Sequence, residues 1–318
     1  MQVSAAILPL HALRAAFGKR LRPGVSIARY TSARIGGSAD ALVDVHSAAE
    51  LAEAAQSLWK LGLPFIVLGG GSNMLVSDAG LREVVLLNQS SQVKFGDQGQ
   101  PTVWAESGAS LGAIARQAAR KGLGGLEWAA GIPGTLGGAL VGNAGAHGGD
   151  LSMVLDLAEI LHQEKGKLVW HAPDLAFKYR ESWLKRHPGR AVVLSAQLAL
   201  SHKPELEIRA QMDTFLAYRR LTQPPGASMG SMFKNPPGDS AGRLIEAAGL
   251  KGKKIGSAQI SPLHGNFFLN LGEARAVDVY ALILEARRAV QVQFGIELEL
   301  EIELVGEWQP GGRPERNE

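Results

Sequence analysis

Between Gly131 and Gly149 the chain reads GIPGTLGGALVGNAGAHGG, and eight of those nineteen positions are glycine. The only ionisable side chain in the stretch is His147. Glycine loses more conformational freedom on folding than any other residue, so this density requires a compensating gain. Close approach of the main chain to a bulky ligand is one such gain. A second run, LGGGSN at 68–73, follows the apolar segment Phe65–Leu68. Main-chain N–H groups in loops of this kind can converge on an anion. The two runs together point to a large anionic cofactor. Two tight turns packed against each other would need the same glycines, and the residues alone leave that alternative open.

With 318 residues, the chain has room for two or three domains. It contains no cysteine, which excludes disulfides, thiolate metal sites, iron–sulfur clusters, a cysteine nucleophile and a cysteinyl flavin tether. The eight histidines show no metal-ligand spacing. Formal charge is +3, spread along the chain. The densest basic patch, Lys251, Lys253 and Lys254, is too short for a nucleic-acid stripe. A mild basic excess suits acidic small molecules and equally suits an ordinary solvated surface. Residues 128–146 are uncharged and as long as a membrane span, but glycines, Pro133 and Asn143 dilute their hydrophobicity. The opening MQVSAAILPLHALRAAFGKRLRPG has no positive region ahead of its apolar run. The expectation is a cytoplasmic protein without membrane or nucleic-acid partners.

Local signals lay out the order of elements. Ser47-Ala48-Ala49-Glu50 is a capping box, followed by Leu51, Ala54, Ala55 and Leu58 at helical spacing and by Gly62 as a stop. Strands are expected at Phe65–Leu68 and Val84–Leu87. Ser110 caps a second helix with Leu111, Ile114, Ala115 and Ala118 on one face, ending at Gly122. Further strands are expected at Leu155–Leu161, Lys167–Trp170 and Ala191–Leu200. Residues 201–205, with Pro204, read as a domain junction. Helices follow near Ile208–Arg220, at Ala241–Ala248 before Gly249, and along Val279, Leu282, Ile283, Ala286, Val290 and Phe294 before Gly295. Glu297–Leu304 alternates glutamate with Leu298, Leu300, Ile302 and Leu304, so a strand is expected there. Four outward glutamates ordinarily form a solvated face, and the local pattern singles out none of them. The sum is an α+β protein in three pieces.

The phosphate-binding fingerprints G-x-G-x-x-G and G-x-x-x-x-G-K-[ST] are both absent. Ser231, in GSMFKNP, has no neighbouring histidine and no G-x-S-x-G elbow, which argues against a hydrolase nucleophile. On its own it also fits a turn or cap serine. Arg180, after Tyr179, has the chemistry to clamp a carboxylate bidentately, and the pattern equally fits a surface arginine.

Taken in order, eight segments resemble the UDP-N-acetylenolpyruvoylglucosamine reductase family over residues 25–306. They are TSARIGG (31–37), LGGGSNMLVSDAG (68–80), GLEWAAGIPGTLGGALVGNAGAHGG (125–149), FKYRES (177–182), GSMFKNP (230–236), AGRLIEAAGLKG (241–252), HGNF (264–267) and LELEIELVG (298–306). The short spacing after Tyr179-Arg180 resembles the family's second type. The resemblance implies an FAD-binding module of vanillyl-alcohol-oxidase type, made of two α+β subdomains at 1–86 and 87–202. A C-terminal α+β substrate-binding domain at 203–306 and a flexible tail at 307–318 complete the expected layout.

The resemblance also implies the reaction. NADPH reduces a non-covalent FAD, and UDP-N-acetylglucosamine enolpyruvate then takes hydride at C3 and a proton at C2 to give UDP-N-acetylmuramate, a peptidoglycan precursor. Arg180, Ser231 and Glu301 match the family's catalytic groups. A guanidinium stabilises charge that grows beside the substrate carboxylate. A hydroxyl suffices as proton donor to a strongly basic carbon. A glutamate beside that carboxylate is expected to have a raised pKa. The implied flavin contacts are Gly69, Gly70, Gly71, Ser72, Asn73, Ile132, Pro133, Gly134, Thr135, Gly138, Asn143, Ala144 and Gly145. Those to substrate are Tyr179, Lys234, Asn235, Gln259 and His264. Thr222 stands where the family often carries lysine, which leaves Arg219 or Arg220 to supply any phosphate contact there. A monomer with no metal is expected.

Overall fold

The computed structural model describes residues 8–96 and 99–308. The first seven residues and the polar tail beyond Trp308 lie outside the described residues.

The first piece is built on a four-stranded sheet in the order Leu21–Ser26, Ser38–Val45, Leu81–Asn88, Phe65–Leu68. The first pair is antiparallel and the other two are parallel. The helix Ala48–Lys60 crosses between parallel strands. It begins where the sequence signals: Ser47 Oγ accepts from Glu50 N at 3.1 Å, and Glu50 reaches back to the N–H of His46 at 2.9 Å. The first bond satisfies a donor that a helix start leaves unpaired and the second ties down the residue before the cap, so together they fix the boundary. Leu51, Ala54, Ala55 and Leu58 then bury against Val43, Val45, Val84 and Leu86.

The second piece is a five-stranded antiparallel sheet in the order Gly166–Trp170, Leu155–His162, Ala191–Ala199, Thr102–Glu106, Val93–Gly96. The helix Leu111–Ala119, capped by Ser110 Oγ on Ala113 N, lays Leu111, Ile114, Ala115 and Ala118 onto it. The uncharged stretch 128–146 is broken into a 3-10 turn at Glu127–Ala129 and a six-residue helix at Leu136–Val141. No helix among the described residues is long and apolar enough to cross a membrane.

The third piece is an antiparallel sheet of Ala227–Ser231, Phe267–Asn270, Ala258–Ile260 and Lys254–Ile255. The helices Ala241–Ala247 and Ala276–Phe294 bury Leu244, Ile245, Val279, Leu282, Ile283, Ala286 and Val290 against it. Gly295, at φ +70°, ends the longer helix and donates to Gln291 O at 2.9 Å.

Three features depart from the expected layout. The helix Glu205–Thr222 packs Ile208 and Met212 on Ala119 and Ala130, so it rests on the second piece rather than the third. Glu297–Leu304 does not form one strand and bends at Glu301–Ile302. Only Leu300 bridges, to Phe233, and then Glu303–Val305 pairs in parallel with Met74–Val76 of the first piece. The tail begins docked, because Ser77 Oγ donates to Glu307 O at 2.5 Å and the Trp308 ring lies 5.1 Å from that of Tyr280. Asp78 ties the same corner: its carboxylate accepts from Ala276 N at 2.8 Å and Val277 N at 3.0 Å, capping the longer helix across the boundary.

Candidate active site

The two glycine loops meet. A Cβ on Gly70 would lie 3.1 Å from Gly134 Cα, and one on Gly134 would lie 2.7 Å from Ser72 Oγ. A Cβ on Gly69 would collide with Thr135 Oγ1. The turns therefore pack together, as the second sequence reading requires, while their main chains stay presented between them. Gly71 sits at φ +54° against the main chain of Tyr30 and Thr31. Its carbonyl accepts from Ser32 N at 3.0 Å, and that of Asn73 accepts from Glu303 N at 2.9 Å. Among the described residues, the N–H groups of Gly70, Gly71, Ser72, Asn73, Gly134 and Thr135 donate no hydrogen bond. Loops with bonded carbonyls and free N–H groups are set to receive an anion.

Other glycines of the long run serve packing. A Cβ at Gly149 would strike the Trp128 ring, and one at Gly145 would strike Asp150 and Gly149. Gly138 N donates to Thr135 Oγ1 as part of a helix cap, and Ile132 N donates to Ala129 O. Ala144 O accepts from Leu151 N at 3.1 Å. Asn143 is buried with both ends of its amide engaged by main chain, Nδ2 on Lys178 O at 3.1 Å and Oδ1 on Ser152 N at 3.2 Å.

Arg180 stands at the tip of a reverse turn. Lys178 N donates to Glu181 O at 3.0 Å and Glu181 N to Lys178 O at 3.2 Å, with Tyr179 and Arg180 between them. Arg180 has φ +57°, a region that costs a non-glycine residue about 1–3 kcal/mol. The guanidinium lies 5.5 Å from the exposed Tyr179 ring centre. Its Nε is 2.8 Å from Glu301 Oε1, and both side chains are recessed. The Nε–H is buried yet makes no directed hydrogen bond, so the contact is one of charge and the donor is left for another acceptor.

Glu301 is held by its main chain. Its N–H donates to Met232 O at 2.9 Å, its carbonyl accepts from Asn73 Nδ2 at 3.0 Å, and Lys234 N donates to Glu299 O at 2.9 Å. The final segment thus runs against the GSMFKNP loop, and Ser231 directly precedes the residue that accepts from Glu301. The Ser231 hydroxyl makes no hydrogen bond among the described residues. Burial pushes the Glu301 carboxyl above the ordinary range, opposed by the charges of Arg180, Lys185 and Lys234. The solvated-face reading thus fails for Glu301, while Glu299 and Glu303 are exposed and pair with the recessed Lys234 and Lys185.

The expected substrate residues divide. Lys234 pairs with Glu299 and acts by its charge on Glu301. Asn235 Oδ1 accepts from Ala241 N at 3.1 Å, Gln259 Nε2 donates to Gly252 O at 3.1 Å, and His264 Nδ1 accepts from Asn266 N at 3.2 Å. Those bonds are local, and none reaches Arg180 or Glu301. Burial, with Lys251 nearby, lowers the His264 pKa. Asn266, within HGNF, has no role assigned by the sequence. It is buried, donates to Phe233 O at 2.8 Å and accepts from Phe233 N at 2.9 Å, clamping the Ser231 loop. Its signal was present in HGNF. Arg219 lies against Gly131, where a Cβ would come within 2.8 Å of its Cδ.

Residues 39–171 match the FAD binding domain family, and residues 221–305 match the C-terminal domain of UDP-N-acetylenolpyruvoylglucosamine reductase. The reductase of Chloroflexus aggregans is 42% identical over 290 residues, covering 90% of this chain and 97% of that one. The reductase 2 of Symbiobacterium thermophilum is 43% identical over 297 residues, covering 92% and 94%. The crystal structure of the Thermus caldophilus reductase superposes with a TM-score of 0.76 at 40% identity, covering 88% of this chain and 97% of that one. The chain belongs to the UDP-N-acetylenolpyruvoylglucosamine reductase family. In this reductase the family's FAD has a donor set that suits it: six unengaged N–H groups on two facing loops, with glycines where a Cβ would close the gap. The buried Nε–H of Arg180 offers a similar fit to an anionic substrate.

Proposed function

We propose that the chain reduces UDP-N-acetylglucosamine enolpyruvate to UDP-N-acetylmuramate with NADPH, through non-covalent FAD. The observation that carries the reading is the Arg180–Glu301 contact at 2.8 Å, with the Glu301 N–H bonded to Met232, the residue after Ser231, and its carbonyl tied by Asn73 to the glycine loop. When bound, FAD supplies one chemistry, the passage of hydride from NADPH to the enolpyruvyl double bond.

The chain's own residues do the rest. The main-chain N–H groups of Gly70, Gly71, Ser72, Asn73, Gly134 and Thr135 hold the diphosphate. Arg180 places a permanent positive charge where negative charge develops at C2 and spreads into the substrate carboxylate. Its strained turn fixes that charge beforehand, which avoids reorganisation during the reaction. Ser231 donates a proton to C2, and its unengaged hydroxyl suits that role. Glu301, whose carboxyl burial pushes upward, either meets the substrate carboxylate as a neutral acid or supports the proton transfer. Lys234 supports binding from the edge, joined by Tyr179, Asn235, Gln259 and His264. The reading includes a cytoplasmic monomer without a membrane partner, and the modest, dispersed charge, with no basic stripe, supports the absence of a nucleic-acid partner.

Ser231→Ala tests the assignment. Flavin reduction by NADPH should remain within about twofold of wild type, while re-oxidation by the enolpyruvyl substrate should slow at least 100-fold, in line with roughly 10²–10⁴ for a lost general acid. Equal damage to both half-reactions contradicts it.

A further inference from the structure

The turn that carries Arg180 is anchored at both ends to one short stretch of the glycine-rich segment. Before the turn tip, Lys178 O accepts from Asn143 Nδ2 at 3.1 Å. After it, Ser182 Oγ donates to Val141 O at 2.7 Å. Both anchoring side chains are buried, Asn143 at 5% and Ser182 at 0% exposure. Asn143 is itself in the left-handed region, at φ +40°, where asparagine is among the few tolerated residues. Its Oδ1 is fixed by Ser152 N at 3.2 Å, which orients the amide so that Nδ2 meets the carbonyl. Ser182 also caps the helix Trp183–Arg186 through Lys185 N at 3.3 Å. Arg180, at φ +57°, sits in a conformation that persists only when its surroundings over-determine it. Within the turn, the two bonds between Lys178 and Glu181 supply part of that constraint. The remainder comes from Asn143 and Ser182.

We infer that Asn143 and Ser182 are positioning residues for Arg180, and that the Val141–Asn143 stretch fixes the guanidinium relative to the glycine loop that precedes it in the same segment. This rests on the reading of Arg180 as the group that stabilises charge on the substrate. It gives the buried Asn143 side chain a role distinct from flavin contact, since its hydrogen-bonding ends face main chain. A small displacement of such a charge is enough to lose much of its effect on a transition state.

Asn143→Asp and Ser182→Ala test it. Aspartate keeps the shape, the tolerance of φ +40° and the acceptor for Ser152 N, and it places an oxygen against Lys178 O. In the holoenzyme, each variant should slow substrate-driven flavin re-oxidation about tenfold or more, and Ser182→Ala should leave reduction by NADPH within twofold. In an Arg180→Ala background, the same changes should alter re-oxidation less than twofold, because the group they position is gone. In the cofactor-free protein, the Glu181 amide should exchange with deuterium faster in both variants than in wild type. Full additivity with Arg180→Ala, or unchanged exchange at Glu181, overturns the inference. If Asn143→Asp loses flavin, Ser182→Ala, outside the glycine segment, decides alone. Should Arg180→Ala itself leave re-oxidation intact, the reading of Arg180 fails first, and the two failures are told apart.

Discussion

Replacing Gly71 by alanine separates the two properties that the loop 69–73 demands of its backbone. The suitable comparison is Gly295→Ala, because Gly295 is also left-handed, at φ +70° and ψ 13°, with open space where a Cβ would go. An L-residue in that region costs about 1–2 kcal/mol, and the stiffer unfolded chain returns roughly 0.4–1 kcal/mol, so Gly295→Ala should destabilise by about 1 kcal/mol. Gly71→Ala carries the same term and adds a collision. Its Cβ falls on the Tyr30 carbonyl oxygen and lies 2.8 Å from Thr31 Cα, both of them main chain. Overpacking of that kind costs roughly 1–3 kcal/mol. Any shift that relieves it strains the 3.0 Å bond from Ser32 N to Gly71 O, worth about 1 kcal/mol. The excess of Gly71→Ala over Gly295→Ala is then about 2–4 kcal/mol. At roughly 2 °C per kcal/mol for a chain of this size, the two should melt about 4–8 °C apart. Thermal melts of both, with flavin absorbance per polypeptide measured alongside, provide the assay. Equal melting temperatures, or wild-type flavin content in Gly71→Ala, would refute the reasoning.

Two further outcomes follow from other parts of the structure. Asp78→Ala removes two of the bonds that cap the helix Ala276–Phe294, so apparent stability should drop by about 1–3 kcal/mol, read by thermal melting; an unchanged melt argues that the cross-boundary cap contributes nothing. Glu301 titrates above the ordinary carboxylate value, so its contribution to stability is complete below roughly pH 4.3 and lost as pH rises through the raised value. Glu301→Gln does not titrate, and its melting temperature should gain on wild type as pH is taken from 4 to 8; a pH-independent gap contradicts the raised pKa.

Much of the architecture was legible because it is written locally. Ser47 and Ser110 begin their helices, and Gly295 stops its helix, through contacts spanning three or four residues. The glycine runs and the Arg180, Ser231 and Glu301 matches were visible as motifs. What the sequence hid depends on distant partners. The alternation of Glu297–Leu304 has the right period for a strand, but a strand also needs a neighbour. Here the neighbour changes from Phe233 to Met74–Val76 within a few residues. The same switch recesses Glu301 and leaves Glu299 and Glu303 exposed, a distinction that period alone does not encode. The helix Glu205–Thr222 looked like the start of a new piece because Pro204 precedes it, yet Ile208 and Met212 find their apolar partners on Ala119 and Ala130. The positive φ of Arg180, and the hold of Asn143 and Ser182 on its turn, arise only once residues 141–143 and 178–182 are brought together.

The most direct measurement is the visible spectrum of the purified protein during an anaerobic sequence of two additions. A bound-flavin band that bleaches with NADPH and returns with UDP-N-acetylglucosamine enolpyruvate, forming UDP-N-acetylmuramate in equal amount, is the predicted result. A colourless protein that takes up no FAD, or a bleached flavin that the enolpyruvyl substrate fails to re-oxidise, would contradict the account.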